Sequence, residues 1–181
     1  QVVEDLRRIE AFYRDEGFFS TRADFQILPM AAGRVHIRFV VEEGPPAILR
    51  SVLVTGMDDL PSEVRRRVLS GNPLGAGDRW TQGAHQAFKE QILSRLEADG
   101  YATAEVEARV EVERHRAEVH AIYLVDPGER YRIGSVHVVG NLMVPEHRIL
   151  AAVQRVLESG DRYHPERLRE AQAEVFDLGA F

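Results

Sequence analysis

Val52-Leu53-Val54-Thr55-Gly56 returns 84 positions later as Val136-His137-Val138-Val139-Gly140. Outward from that phrase, three more blocks return in nearly the same register. Gly17-Phe18-Phe19 is answered by Gly100-Tyr101-Ala102 at 83 positions, Val41-Glu42-Glu43-Gly44 by Val125-Asp126-Pro127-Gly128 at 84, and Gly77-Asp78-Arg79-Trp80 by Gly160-Asp161-Arg162-Tyr163 at 83. Matched blocks of this kind describe a tandem array, and arrays whose modules touch mainly their neighbours build extended binding surfaces. The period is longer than that of most solenoid repeats, so each unit reads as a small domain.

The repeat divides the 181 residues into three parts. Residues 47–128 hold one complete unit, residues 1–46 the second half of a unit, and residues 129–181 the first half of another. A unit of this size buries only a modest core. With 44% hydrophobic and 29% charged residues, the composition is that of an ordinary folded chain. The net charge of −6 argues against nucleic acid or an anionic membrane surface as the main partner, since both require a basic footprint. No apolar run approaches the length of a membrane-spanning helix. Cysteine is absent, which removes disulfides, thiol catalysis and thiolate metal sites without fixing the compartment. The chain opens in mid-unit, so it reads as a segment of something longer, and the lack of a leader says little.

In the complete unit, Ile48–Thr55 is β-branched and stopped by Gly56, as a short strand would be. Pro61-Ser62-Glu63 suits a helix first turn, and that helix is expected to run to about Ser70, with Gly71 beyond it. Gly71-Asn72-Pro73-Leu74-Gly75-Ala76-Gly77 is a loop. From Thr81 to Asp99, Ala84, Phe88, Ile92 and Leu96 recur four apart, giving a second helix that Gly100 ends. Ala104, Val106, Ala108, Val110 and Val112 then alternate with Glu105, Glu107, Arg109, Glu111 and Glu113, the pattern of a strand with one buried and one wet face. A turn near Arg114-His115 leads to a last strand over Ala117–Val125.

The flanks fit the same template. Val2, Leu6, Ile9 and Tyr13 make a helical stripe before Gly17; Ala23, Phe25 and Ile27 alternate as one strand, and Val35, Ile37, Phe39 and Val41 as the next. Beyond 129, Ile133–Val139 is expected as a strand, Pro145–Ser159 as a helix, and Pro165–Leu178 as another that Gly179 stops. The fold class is α+β: tandem β-α-α-β-β units, each a three-stranded mixed sheet with both helices on one face, because each element is apolar on one side only. The crossover should be right-handed.

The opening phrases Val52–Gly56 and Val136–Asn141, Gly77-Asp78 and Gly160-Asp161 before the second helix, Leu96-x3-Gly100-Tyr101 at its end, and Val40-Val41-Glu42-Glu43-Gly44-Pro45 after the last strand stand in a fixed order. In that order they resemble the POTRA (polypeptide-transport-associated) domains that precede the β-barrel of BamA/TamA-type outer-membrane assembly proteins. The resemblance covers essentially the whole chain. Met57 stands where the family usually has Asn, and Asp126-Pro127-Gly128 replaces Glu-Gly, so the middle unit is the looser match. Asp177-Leu178-Gly179-Ala180-Phe181 looks like the short helix end of the repeat nearest the barrel.

The resemblance implies a periplasmic location at the outer membrane and a C-terminal membrane β-barrel in the full-length protein. It implies unfolded outer-membrane protein segments as clients, with accessory lipoproteins or an inner-membrane protein as further partners, and neither nucleic acid nor any cofactor. In the POTRA arrangement the middle strand of each unit lies at the sheet edge, where an extended client can pair with unsatisfied N–H and C=O groups. The edge residues are then Ala104, Glu105, Val106, Glu107, Ala108, Arg109, Val110, Glu111 and Val112, with Ala23, Asp24, Phe25, Gln26 and Ile27 in the first unit. Two other functions stay open: a receptor dedicated to one substrate, as in two-partner secretion, and a non-transport scaffold with POTRA-like units.

No catalytic or metal chemistry is expected. The seven histidines show no close ligand spacing and read as solvent-exposed. Gly71-x3-Gly75-x-Gly77 lacks the Lys-Ser/Thr ending of a phosphate loop and follows a helix rather than a strand. The row Glu105, Glu107, Glu111 and Glu113 reads as the charged wet face of an edge strand rather than paired catalytic carboxylates. Trp80, just before a helix, reads as a packing residue.

Overall fold

The computed structural model describes residues 2–178. The chain begins with helix α1 (Val2–Asp15), followed by strands β1 (Arg22–Pro29) and β2 (Val35–Glu42). The middle repeat holds β3 (Ile48–Thr55), α2 (Ser62–Leu69), α3 (Gln82–Ala98), β4 (Glu105–Glu113) and β5 (Glu118–Asp126). Helices α4 (Glu146–Gln154) and α5 (Pro165–Phe176) complete the described elements. The expected stop at Gly179 lies outside the described residues.

Strands β1 and β2 form a two-stranded antiparallel sheet, closed by a 3-10 turn at Ala31–Gly33. The middle repeat has a three-stranded sheet in the order β3-β5-β4, with β3 and β5 parallel. The turn Arg114–Ala117 joins β4 to β5, and Ala117 takes a left-handed backbone there (φ 51°), so β5 starts at Glu118 rather than Ala117. Every second residue of β5 is buried: Val119, Ala121, Tyr123 and Val125. On the helices, Val64 and Val68 of α2 and Phe88, Ile92 and Leu96 of α3 are buried, and the Phe88 ring stands edge-on to Tyr123 at 4.9 Å. In β5, α2 and α3 one apolar face has gone inward, as amphipathic patterning requires, whereas α1, β1 and β2 hold no buried residue.

Three further expectations about the elements are corrected. Ala104 lies before the strand, in a turn where its N–H donates to the Tyr101 carbonyl (3.3 Å), so β4 begins at Glu105. Helix α4 stops at Gln154, not Ser159. Val156 keeps helical spacing in sequence, but the Asp161 carboxylate takes the Glu158 N–H (3.1 Å) and draws the chain into a loop. The corresponding Asp78 takes the Gly75 N–H (2.9 Å), and in both loops a leucine, Leu74 or Leu157, turns inward. Third, Ile133–Val139 is not a strand; just before it lies one isolated bridge, Arg132 to Arg162. Its counterpart β3 is held by β5, whereas no strand follows β5 among the described residues, and a strand without a neighbour has no ladder.

The residues gather into two compact units that differ from the three sequence parts. One takes the chain through Thr55 with Gly71–Glu90 and Glu107–Leu124; the other takes Gly56–Ser70, Gln91–Val106 and the chain from Val125 onward. Each contains one junction between successive repeats, built from the same main-chain bonds. In the first, the Gly17 carbonyl accepts from Ala47 N–H (2.9 Å), and the Ala47 carbonyl accepts from Trp80 N–H (3.0 Å). In the second, the Gly100 carbonyl accepts from Tyr131 N–H (2.8 Å), and the Tyr131 carbonyl accepts from Tyr163 N–H (3.2 Å). The pairs Leu49–Asp78 and Ile133–Asp161 extend the correspondence, with N–H to carbonyl distances of 2.9 and 2.7 Å. The division 1–46, 47–128 and 129–181 rests on the sequence period and is kept as a proposal.

Candidate partner-binding edges

Strand β4 has one hydrogen-bonded neighbour, β5, so its other side is a sheet edge. Val106 is buried, Ala108, Val110 and Val112 are half-buried, and Glu105, Glu107, Arg109 and Glu111 are exposed. The alternation that carried the strand assignment also sets its chemistry: an apolar row held inward and a mostly acidic row outward. Glu113 closes the row within 4.0 Å of Arg116, His115 and His120. Among the described residues, no side chain takes a backbone N–H of β4.

Strand β1 also has a single neighbour, and its register sets Ala23, Phe25 and Ile27 opposite Val41, Phe39 and Ile37. Asp24 and Gln26 lie opposite Val40 and Arg38. This edge is partly occupied by the chain itself. The Ala23 N–H donates to the Glu10 carboxylate of α1 (3.1 Å), and the Phe25 N–H donates to the Asp24 carboxylate (2.7 Å). Those donors are taken, so β4 is the freer of the two edges. Sequence pattern did not reveal this guard, because Glu10 lies 13 residues away on a helix.

The middle repeat is braced by polar groups that face inward. His85 is buried, against the expectation of seven exposed histidines, and its Nδ1 lies 2.7 Å from the Tyr123 hydroxyl. Its position three residues before Phe88 puts it on the buried stripe of α3, a signal the four-residue spacing from Ala84 hid. Burial, aided by the nearby Lys89 charge, lowers the His85 pKa below its ordinary value. Burial also pushes the Tyr123 phenol up to about 12. A neutral imidazole and a protonated phenol therefore satisfy each other in the core. Asp99, also buried, receives both bonds from one Arg67 nitrogen (2.5 and 2.6 Å), tying the end of α3 to α2. Arg95 donates to the carbonyls of Arg67 and Val68 (2.9 Å each) and of Ser70, capping the C-terminus of α2.

Trp80 is buried with the Phe19 ring 5.2 Å away, and Arg79 reaches the Glu16 carboxylate (2.5 Å) while lying over the Phe18 ring (5.2 Å). The glycine loop at 71–77 gives the Gly75 N–H to its own Asp78 carboxylate, an internal acceptor where a phosphate cradle would leave that donor open. No group of three or more His, Asp or Glu among the described residues could hold a metal, and no described helix is long and apolar enough to cross a membrane.

The architecture is that of POTRA domains. The chain aligns over its whole length with 70% of a solved structure of POTRA domains 3–5 of Haemophilus influenzae BamA, at TM-score 0.64 and 20% identity. No family model matches the chain. Among curated proteins it is 24% identical, over 84% of its length, to the outer membrane protein assembly factor BamA of Nitratidesulfovibrio vulgaris. It is 21% identical, over 97% of its length, to that of Neorickettsia risticii. The chain spans about a fifth of those relatives (20% and 22%). Fold and relatives together support a POTRA region of a BamA-type assembly factor.

Proposed function

We propose that this chain is the periplasmic POTRA region of an outer-membrane β-barrel assembly or translocation protein, and that it holds extended client segments by strand addition to β4. The position of β4 at the edge of the β3-β5-β4 sheet carries this reading. An added strand would bond to main-chain groups and place little demand on client sequence, as a protein handling many clients requires. The outward row of Glu105, Glu107 and Glu111 favours segments carrying lysine or arginine, each cross-strand pair contributing roughly 0.2–1 kcal/mol. Strand β1, with two donors already taken, is the weaker edge.

Five ladder bonds at about 0.5–1.5 kcal/mol each give only a few kcal/mol. Association costs of at least about 4 kcal/mol remove most of that. Each edge therefore binds weakly and releases quickly, and edges in tandem prolong residence through effective concentration. Titrating unfolded barrel-derived peptides while recording backbone amide shifts tests the idea. Perturbations should centre on Glu105–Val112 with dissociation constants near roughly 1 mM or weaker. Shifts confined to α2 and α3, with β4 silent, would refute strand addition.

A further inference from the structure

His85 stands in the first turn of α3, and its ring neighbours two others. Its Nδ1 meets the Tyr123 hydroxyl of β5 at 2.7 Å, and its centroid lies 6.3 Å from that of Trp80. Trp80 in turn packs on Phe19 at 5.2 Å. A row of rings thus runs Phe19, Trp80, His85, Tyr123. Its outer contact, Trp80 on Phe19, is a side-chain part of the first junction, beside the main-chain bonds Ala47 to Gly17 and Trp80 to Ala47.

The surroundings of this imidazole disfavour a proton. It is buried, it sits at the positive end of a helix, and Lys89 lies one turn further along α3. Tyr123 keeps its own proton, and at the junction Arg79 is paired with Glu16. Trp80 adds a second weakness. Its Nε1 is buried without an acceptor among the described residues. Opening the Trp80–Phe19 contact would hand that donor to water and break no hydrogen bond of the indole. The second junction keeps the same main-chain bonds but lacks the histidine: 83 residues on, Tyr163 stands for Trp80 and Leu168 for His85.

We infer that protonation of His85 opens the Trp80–Phe19 contact and loosens the first junction, while the second junction, with leucine in the matching place, does not respond. The effect follows from linkage. In the open form water reaches the imidazole, which binds a proton with its ordinary affinity; in the closed form it binds one more weakly. The open form therefore gains on the closed one as pH falls below about 6.5, by up to about tenfold per pH unit for one proton. The gain ends once the closed form is protonated as well.

The test uses the intact chain and reads both junctions at once. Protection factors from amide hydrogen exchange, which remove the intrinsic effect of pH, should fall at least about tenfold at Ala47 and Trp80 between about pH 7 and about pH 5. Those of Tyr131 and Tyr163 should hold over the same range. Trp80 is the sole tryptophan, so quenching of its fluorescence by neutral acrylamide should rise at least about twofold in step with the exchange. His85→Leu, which gives the first junction the residue of the second, should make both readouts independent of pH. If that variant does not fold, the comparison of the two junctions in the natural chain decides alone. A fall at all four amides together would mean general acid destabilisation and would overturn the inference. No fall at Ala47 and Trp80, or a fall that persists in folded His85→Leu, would overturn it too.

Discussion

Gly17 and Gly100 each follow a helix, each precede an aromatic residue, and each take a left-handed backbone, with φ +89° and +99°. Their surroundings are not equivalent. A Cβ on Gly17 would meet the Trp80 carbonyl oxygen at 2.2 Å, whereas on Gly100 the nearest atom is Cγ of Arg162 at 3.1 Å. A carbonyl fixed in a junction cannot retreat, but an arginine stem can swing aside. Gly17→Ala should therefore destabilise the chain by roughly 3 kcal/mol or more, strain and clash combined, and Gly100→Ala by about 1–2 kcal/mol. Urea unfolding of the two variants side by side decides it; equal losses would mean the first junction is looser than it looks. His85 offers a second residue-level test. Because burial lowers its pKa, the unfolded chain binds a proton more readily than the folded one. Its stabilising contribution is complete above the unfolded value of about 6.5 and is lost as pH falls toward the depressed folded value. Unfolding free energy should drop across that window in the natural chain, and the slope should flatten in His85→Gln.

At the level of elements, the period and the alternation of apolar residues located the α-helices of the described residues, and they located strands wherever a neighbour was present to pair with. What they misplaced were ends. Val156 sits at helical spacing from Ile149 and Val153, so periodicity extends α4 through it; the buried residue is instead Leu157, at 4% exposure, in the loop that Asp161 ties down. Leu157→Ala should cost about 2–4 kcal/mol and Val156→Ala clearly less, measured by the same unfolding transitions. A helix continued to Ser159 would predict the opposite order. Ile133–Val139 failed for another reason. Its β-branched residues carry strand propensity, but a ladder is a property of two segments, and one sequence stretch cannot supply it. The candidate edge shows both outcomes: the alternation over Glu105–Glu113 was legible residue by residue, while the Glu10 guard on β1 came from a distant helix and left no local mark.

Across the whole chain, the sequence period proposes a division into repeats, but compactness follows the junctions instead. The hydrogen bonds that the two junctions share are made by backbone atoms of Gly17, Ala47 and Trp80, and of Gly100, Tyr131 and Tyr163. Apart from the two glycines, such contacts leave little trace in residue identity, which is why a reading of side-chain pattern could not foresee them. The same economy governs how such a molecule can grow. A coupling written in main-chain atoms survives gene duplication intact, because every copy inherits the same donors and acceptors however far its side chains drift. Ala47 and Tyr131 occupy one structural role despite sharing no chemistry beyond the peptide unit, so an array of this kind can lengthen by whole modules and diversify each surface separately without redesigning the seams.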